Sequence, residues 1–327
     1  MNELIPQFDF TRVFVAPWTE GAASFIWIAL MGFFVATACG LIGNYLILRR
    51  MALVGDAISH SILPGIAIAF LLANSRNTWV MFVGALAAGI LTTVIIDVIH
   101  KRSRVKQDAA IGIAFSTLFA IGVIPISLYA DKVDLDQECV LYGEIAFVPL
   151  APLVQLGGFS FGPEPVLRMG IVMLLTGLLI VLFYKELLVS SFDPGLAASL
   201  GISAAVMHYA LMSMLSVVVV SAFESVGAIL VIAMLILPGA TASLLSHRLP
   251  VVLALSVVHG ALSSLLGIHV AVWLECSMAA AMVVMGAVLF ILAWIFSPRE
   301  GLIARWLSHR TISAPAPSPE QTPAYGR

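Results

Sequence analysis

Nine stretches of this chain are apolar for long enough to cross a bilayer as a helix, which takes roughly 20 such residues. Of its 327 residues 61% are hydrophobic and 10% are charged, against about 25% charged residues in a soluble domain. A soluble core could not bury that much apolar surface, so the sequence predicts an all-α, polytopic transmembrane bundle of eight or nine spans and no soluble domain. The predicted spans are 24–48, 51–73, 78–99, 108–130, 167–184, 206–222, 225–246, 250–270 and 275–296.

The charged residues of the loops alternate in sign along the chain and predict an orientation. Lysines and arginines follow the first, third, fifth, seventh and last spans, whereas the loop after the fourth span is acidic. The positive-inside rule therefore places the N-terminus outside and the C-terminus in the cytoplasm, which nine spans satisfy. The charged residues are Arg49, Arg50, Lys101, Arg102, Arg104, Lys106, Lys185, Arg248, Arg299, Arg305 and Arg310, against Asp131, Asp134, Asp136, Glu138 and Glu144.

This pattern divides the chain into three parts. Residues 1–23 are predicted to be an extracytoplasmic N-terminal segment, 24–298 the membrane domain, and 299–327 a cytoplasmic tail that is partly disordered because it is rich in proline. The apolar stretch 141–166 is broken by glycines and prolines and is predicted to be an outer loop that dips into the protein. The sixth and seventh spans are nearly continuous, and we divide them at Glu224.

Several classes of protein lack support in the sequence. Three widely spaced cysteines contain no CxxC pair, so neither a disulfide framework nor a thiolate zinc site is indicated. The chain has no Walker A run for binding nucleotide and no HExxH helix of a metalloenzyme. Its first 20 residues do not resemble a cleaved signal peptide. We therefore expect a transport function rather than an enzymatic one.

The second span contains the strongest candidate site. Asp56 and His60 are four residues apart, so they lie on one helix face, one turn from each other. At 1.5 Å of rise per residue, His60 lies about 15 Å from the cytoplasmic end of the span, near the bilayer midplane. A carboxylate and an imidazole suit Zn²⁺, Mn²⁺ or Fe²⁺. From spacing alone, the two residues either hold such a cation or simply pair with each other or with another helix.

Neighbouring residues of the same span can support this site. Ser59 and Ser61 flank the pair and are predicted to orient it as outer partners of the ligands. Pro64 and Gly65 are expected to kink or break the helix just beyond, and broken helices near the midplane are typical of transporter binding sites.

Other polar residues of the spans have weaker functional interpretations. Glu224 is either an ordinary interfacial carboxylate or part of an outer vestibule that attracts cations. His259 lies in mid-span and is interpreted as a hydrogen-bonding residue between packed helices. Asp97 is expected to pair with Lys101 at the (i, i+4) spacing.

The run Gly-Asp-Ala-Ile-Ser-His-Ser-Ile-Leu-Pro-Gly at 55–65 resembles the signature of ABC-3 permeases, the manganese, zinc and iron(II) import permeases. The resemblance covers nearly the whole chain. The further stretches that agree, in order, are 141–147, 183–187, 192–201, 223–231, 237–245 and 296–302.

The resemblance implies a fold of the ABC importer permease type and a location in the bacterial cytoplasmic (inner) membrane. It implies that Asp56 and His60 line the path of a transported Mn²⁺, Zn²⁺ or Fe²⁺ ion, with no permanently bound cofactor. It also implies a second permease chain, a cytoplasmic ATP-binding subunit that hydrolyses ATP, and an extracytoplasmic metal-binding protein, and no nucleic acid.

The cytoplasmic stretch at about 190–203 resembles the family segment that docks on the ATPase. Asp193 and Pro194 form a helix start signal, and Ala197 to Leu200 suit a short helix that Gly201 ends. Gly195 stands where the family usually has a larger, often acidic residue, and Ser246-His247-Arg248 replaces a more usual Thr-Asp-Arg. Both departures face the cytoplasm and concern the partner interface.

The resemblance and the residues together favour a permease subunit of an ABC importer for divalent metal ions. Three alternatives stay open at this point. A gradient-driven secondary metal transporter would need no ATPase. A permease for an organic metal chelate or a vitamin would favour a wide aromatic pore. An intramembrane metalloenzyme would need a third ligand and a general base.

Overall fold

The computed structural model of the protein describes residues 6–73, 78–128, 144–156, 159–297 and 301–303. A π-helical turn, Thr11–Val15, leads into the short helix α1. The helices are α1 Ala16–Thr19, α2 Ala22–Leu48, α3 Val54–Ser61, α4 Leu63–Ala73, α5 Thr78–Arg102, α6 Gln107–Leu128, α7 Glu164–Leu182, α8 Tyr184–Phe192, α9 Pro194–Ser199, α10 Ala204–Leu245, α11 Leu249–Leu274 and α12 Met278–Phe296.

Eight segments of the described residues are long and apolar enough to cross a membrane, and Leu230–Leu245 is a shorter apolar helix. These nine segments coincide with the nine predicted spans, with ends that differ by a few residues. The all-α polytopic bundle is therefore confirmed, and α3 with α4 together form the second span.

Helix α10 contains the predicted sixth and seventh spans. Its backbone leaves helical geometry at Gly227, where φ is 73° and ψ is 168°, a conformation open essentially to glycine alone. Leu215 and Leu235 both lie against Gly55, although 20 residues of a straight helix would separate them by about 30 Å. The chain therefore reverses at Gly227, three residues after the predicted division, into a first arm, Ala204–Phe223, and a second arm, Leu230–Leu245.

Helices α2 and α10 form the centre of the bundle. At Gly43 the two backbones approach so closely that a side-chain carbon would overlap the Leu235 carbonyl oxygen. Helices α7, α11 and α12 pack around one side of this centre, and α3 to α6 around the other. Helix α3 packs against α5, α6 and α10. Asp56 and His60 therefore lie within the helical bundle rather than at its ends.

One end of the bundle collects the basic residues, and we call it the basic end. There Arg49 donates hydrogen bonds from Nε to Ser191 (3.0 Å) and from Nη2 to Ser190 (3.1 Å) on α8. Burial lowers the pKa of the Arg49 guanidinium. Ser297, at the end of α12, donates to the Leu244 carbonyl at 2.7 Å. At this end the chain after α2 therefore contacts α8, and the end of α12 contacts that of α10.

The predicted loop 141–166 is partly described. Residues Ile145–Leu150 form a 3₁₀ helix, and β1 (Leu153–Leu156) pairs antiparallel with β2 (Phe159–Pro163). Ile145 and Val148 are buried, and their 3₁₀ helix lies on α2, so this loop does enter the protein. The predicted acidic residues Asp131, Asp134, Asp136 and Glu138 and the tail from 304 onward lie outside the described residues.

Candidate metal site

Asp56 and His60 lie one turn apart on α3, and His60 Nε2 is 3.3 Å from Asp56 Oδ1. Their side chains keep 39% and 31% of their surface accessible. The structure therefore places the two predicted ligands side by side, on a face that another molecule can reach.

The depth of this pair in the bundle follows from Ile58, which lies between the two residues. Ile58 packs against Gly89, where a side-chain carbon would lie 3.3 Å from Ile58 Cγ2. Gly89 is near the middle of the span Trp79–Arg102. The pair is therefore at the middle depth of the bundle, where an unpaired charge costs about 2.5–3.5 kcal/mol on insertion scales.

Pro64 and Gly65 shape the helix next to the site. The helix is interrupted at Ile62, because Pro64 has no N–H to donate to the His60 carbonyl and its ring crowds that oxygen. A side-chain carbon at Gly65 would overlap the Gly84 carbonyl oxygen on α5. These two residues thus combine a helix interruption with a close approach between α4 and α5.

Ser59 and Ser61 are buried and hydrogen bond within α3. Ser59 Oγ donates to the Gly55 carbonyl at 3.0 Å, and Ser61 Oγ donates to the Ala57 carbonyl at 2.6 Å. Both hydroxyl protons are thus donated to backbone carbonyls of α3, the helix that carries Asp56 and His60. Their role as outer partners of the metal ligands stays a prediction.

Two aromatic residues of α6 contact His60, and sequence reasoning missed them. The ring centroids of Phe115 and Phe119 lie 5.9 and 6.2 Å from that of His60, and the Phe119 contact is edge-on at 86°. The spacing of four residues puts both rings on one face of α6. Nothing in the sequence shows which face of α6 meets α3, so pairing these residues with His60 required the structure.

Asp56 and His60 could supply two ligands to a metal ion. Among the residues that the structure describes, no group of three or more His, Cys, Asp or Glu side chains could hold a metal ion. Glu224 lies on α10 close to the reversal at Gly227, and its side chain is outside the described part of the structure. A bound ion would therefore need further ligands from water or from another molecule.

A second polar cluster, also not predicted as a whole, lies near the basic end. The predicted pair of Asp97 and Lys101 is confirmed, with Oδ2 and Nζ 2.6 Å apart. His208 of α10 joins it, with Nε2 3.3 Å from Asp97 Oδ1. Asp97 is buried, whereas Lys101 is exposed. This cluster connects α5 to the start of α10.

His259 differs from its prediction. It is buried in α11, and neither ring nitrogen has a hydrogen-bond partner among the described residues. Among the described residues, the structure therefore does not bear out the interpretation of His259 as a hydrogen-bonding residue between helices. The reason is packing, since Gly286 of α12 lies against its Nε2 atom and offers no side chain.

The predicted docking segment forms a short exposed helix, α9. Asp193 caps it and accepts hydrogen bonds from the backbone N–H groups of Gly195 (2.9 Å) and Leu196 (3.0 Å). Pro194 occupies the first helical position, and Gly201 follows the helix with a φ of 78°. Ala197 is buried, whereas Leu196 and Leu200 keep 50% and 61% of their surface exposed.

Together these features define a class, a multi-pass helical membrane protein of the transporter type. The model of the ABC 3 transport family matches residues 23–297. The chain belongs to this family, and its fold is that of an ABC importer permease.

Named proteins are similar to this chain over most of its length. It is 46% identical to a manganese transport system membrane protein, MntD, of Bacillus subtilis, over 88% of this chain and 96% of that one. It is 43% identical to a zinc transport system membrane protein, TroD, of Treponema pallidum, over 87% and 77%. The solved structure of PsaBC from Streptococcus pneumoniae in complex with Fab superimposes with a TM-score of 0.73 at 33% identity, over 92% of this chain and 100% of that one.

Proposed function

We propose that this chain is the membrane permease subunit of an ABC importer that moves divalent metal ions, Mn²⁺, Zn²⁺ or Fe²⁺, across the bacterial cytoplasmic membrane. The observation that carries the proposal is the accessible Asp56–His60 pair at the middle depth of the bundle. Manganese and zinc in the names of two relatives support the class of cargo.

In this proposal Asp56 and His60 hold the ion during its passage. A carboxylate oxygen and an imidazole nitrogen are ligands that all three metals accept. Because the described chain offers only these two side chains, the remaining ligands are water or the equivalent pair of a second permease, in a homodimer or with a sister chain. The accessible face of the pair supports this, since a single chain leaves it open.

The energy comes from a cytoplasmic ATP-binding subunit that docks on α9, and this chain itself makes and breaks no covalent bond. Leu196 and Leu200 offer the apolar contact, and Asp193, Pro194, Ala197 and Gly201 hold the helix in shape. The first arm of α10 follows directly and packs against α3 and α5. A displacement of α9 can therefore be transmitted through α10 to α3, the helix that carries Asp56 and His60.

The orientation follows from the charges. The basic end faces the cytoplasm under the positive-inside rule, so the C-terminal tail is cytoplasmic and residues 1–23 are extracytoplasmic. An extracytoplasmic metal-binding protein delivers the ion at the opposite end, where Gly227 reverses α10. Glu224 precedes this reversal by three residues in the chain, and in this proposal it attracts cations to that entrance.

The test is uptake by proteoliposomes that contain the chain, its ATPase and its binding protein, with radioactive Mn²⁺, Zn²⁺ and Fe²⁺ offered separately. We expect accumulation of at least one ion that requires ATP and the ATPase. Accumulation by the chain without the ATPase would instead establish a gradient-driven transporter. If the assembled complex accumulates none of the ions, the cargo is an organic ligand and the proposal fails.

A further inference from the structure

The segment before the first span, residues 6–20, precedes the family match, which begins at residue 23. It consists of residues 6–9, which have no regular secondary structure, the π-helical turn Thr11–Val15 and α1. We propose that this segment is an interfacial anchor, which lies in the headgroup region of the bilayer and places Phe10, Phe14 and Trp18 in contact with lipid.

The first observation is that the segment is fastened to the end of α11. Trp273 Nε1 donates to the Pro6 carbonyl at 3.2 Å, and His269 Nδ1 lies 2.9 Å from the Val13 carbonyl oxygen. Arg12 forms an ion pair of 2.6 Å with Glu275. These contacts span the segment's first half and hold it against one face of α11.

The second observation is that this face of α11 is exposed and apolar, as a surface in contact with lipid is. Val258, Leu262 and Leu265 are exposed apolar residues on one side of α11. His269 and Trp273 continue the same helical spacing of three and four residues toward the end of the helix. The segment therefore packs on the last turns of this face of α11. Nearer the middle of the bilayer, the same face contacts the hydrocarbon of the lipids.

The third observation is the pattern of the segment itself. Apolar residues recur at i, i+3, i+4, i+7 and i+8, as in an amphipathic helix. Val13 and Pro17 of this set are buried against the protein. Phe10, Phe14 and Trp18 keep 63%, 40% and 38% of their surface exposed. The exposed polar residues on the other faces are Asp9, Thr11, Arg12, Thr19 and Glu20.

The depth follows from the position of the segment in the chain. Helix α2 begins at Ala22, two residues after the segment, and α11 ends at Leu274 beside it, so both mark the edge of the hydrocarbon region. Aromatic side chains are enriched at this level because their rings prefer the headgroup boundary. An amphipathic helix with such a face lies in the interface plane with its apolar side toward the acyl chains.

The anchor requires only that the chain spans a membrane, and not that it transports metal. Its consequence is that α2 and α11 are tied together at one bilayer surface. Phe14 ties the segment that leads into α2 to α11, since its ring lies 4.8 Å from that of His269, centroid to centroid, at a tilt of 30°. The ends of these two helices should therefore stay at a fixed depth.

The experiment places a nitroxide label on the full-length chain in lipid nanodiscs. Cys139 and the exposed Cys276 are replaced by serine, and the buried Cys39 is left in place. Labels are introduced by Phe10→Cys or by Trp18→Cys, and collision rates with oxygen, which partitions into lipid, and with a water-soluble nickel chelate are measured. Reference labels come from Leu262→Cys on the lipid face and from Ser103→Cys, which is exposed at the basic end.

We expect the labels at 10 and 18 to lose nickel accessibility and to gain oxygen accessibility relative to Ser103→Cys, toward the values of Leu262→Cys. A label introduced by Thr11→Cys should stay closer to the aqueous reference. Nickel accessibility at 10 and 18 equal to that at 103 would overturn the proposal and leave the aromatic face free for a protein partner. If one variant does not fold, the other decides the question.

Discussion

His208 Nε2 on α10 lies 3.3 Å from Asp97 Oδ1 on α5, and Lys101 holds the other oxygen of the same carboxylate at 2.6 Å. The carboxylate is buried, and each of its two oxygens has its own partner, the Lys101 ammonium or the His208 ring. This carboxylate connects α10, which follows the predicted docking segment, to α5, which packs against α3, the helix that carries Asp56 and His60.

This arrangement predicts unequal effects of the two obvious substitutions. Asp97→Ala should lower the free energy of unfolding by about 1–3 kcal/mol, because it leaves the largely buried His208 ring without its polar partner. Lys101→Ala should lower it by less than about 1 kcal/mol, because its side chain is exposed. Denaturation in detergent measures both. An equal loss of unfolding free energy in the two variants would contradict the view that Asp97 joins both Lys101 and His208.

The close contact between α2 and α10 predicts that Gly43 tolerates no side chain. Gly43→Ala would push a methyl group into the Leu235 carbonyl, and overpacking of this kind typically costs about 1–3 kcal/mol. Gly112→Ala is the matched control, since nothing lies within 4 Å of the added carbon and alanine favours a helix by about 1 kcal/mol. Thermal unfolding should move down for the first variant and not for the second. The same shift in both would remove the packing argument.

The exposed leucines of α9 predict a sensitive contact with the ATPase. Leu200→Asp should weaken association with the ATPase by roughly tenfold or more, because burying a leucine contributes about 1.5–3 kcal/mol and about 1.4 kcal/mol is tenfold. Leu153→Asp, on an exposed leucine of β1, is the control. Co-purification and stimulation of ATP hydrolysis report the effect. A complex that survives Leu200→Asp unchanged would place docking elsewhere.

The aromatic contacts of His60 predict a change in apparent affinity. Phe119→Ala removes an edge-on ring contact, and such pairs contribute about 0.5–1.5 kcal/mol. We expect the metal concentration at half-maximal uptake to rise by roughly two- to tenfold, with the maximal rate largely kept. Phe147→Ala, on an exposed phenylalanine of the 3₁₀ helix, is the control. An unchanged concentration dependence would show that the ring does not position His60.

Hydropathy and spacing predicted the spans and the neighbouring positions of Asp56 and His60, because both depend on residues close in sequence. The reversal of α10 was predicted three residues too early, since Glu224 is the only charge there but Gly227 alone has the backbone freedom to turn. The pairing of Asp97 with His208 joins residues that are far apart in sequence. Within the described part of the chain the His259 nitrogens have no partner, and this depends on α12 presenting Gly286 at that point. Such contacts are set by tertiary packing, which a single sequence does not reveal.

The central claim is that Asp56 and His60 hold the transported ion. The most direct test is ATP-driven metal uptake by the reconstituted complex with Asp56→Ala or His60→Ala, beside Asp108→Ala and His100→Ala, which change the same residue types at exposed positions. We expect uptake to be lost in the first two variants and kept in the controls, with all four complexes assembled to the same extent. Near-normal uptake with Asp56→Ala and His60→Ala would contradict the account.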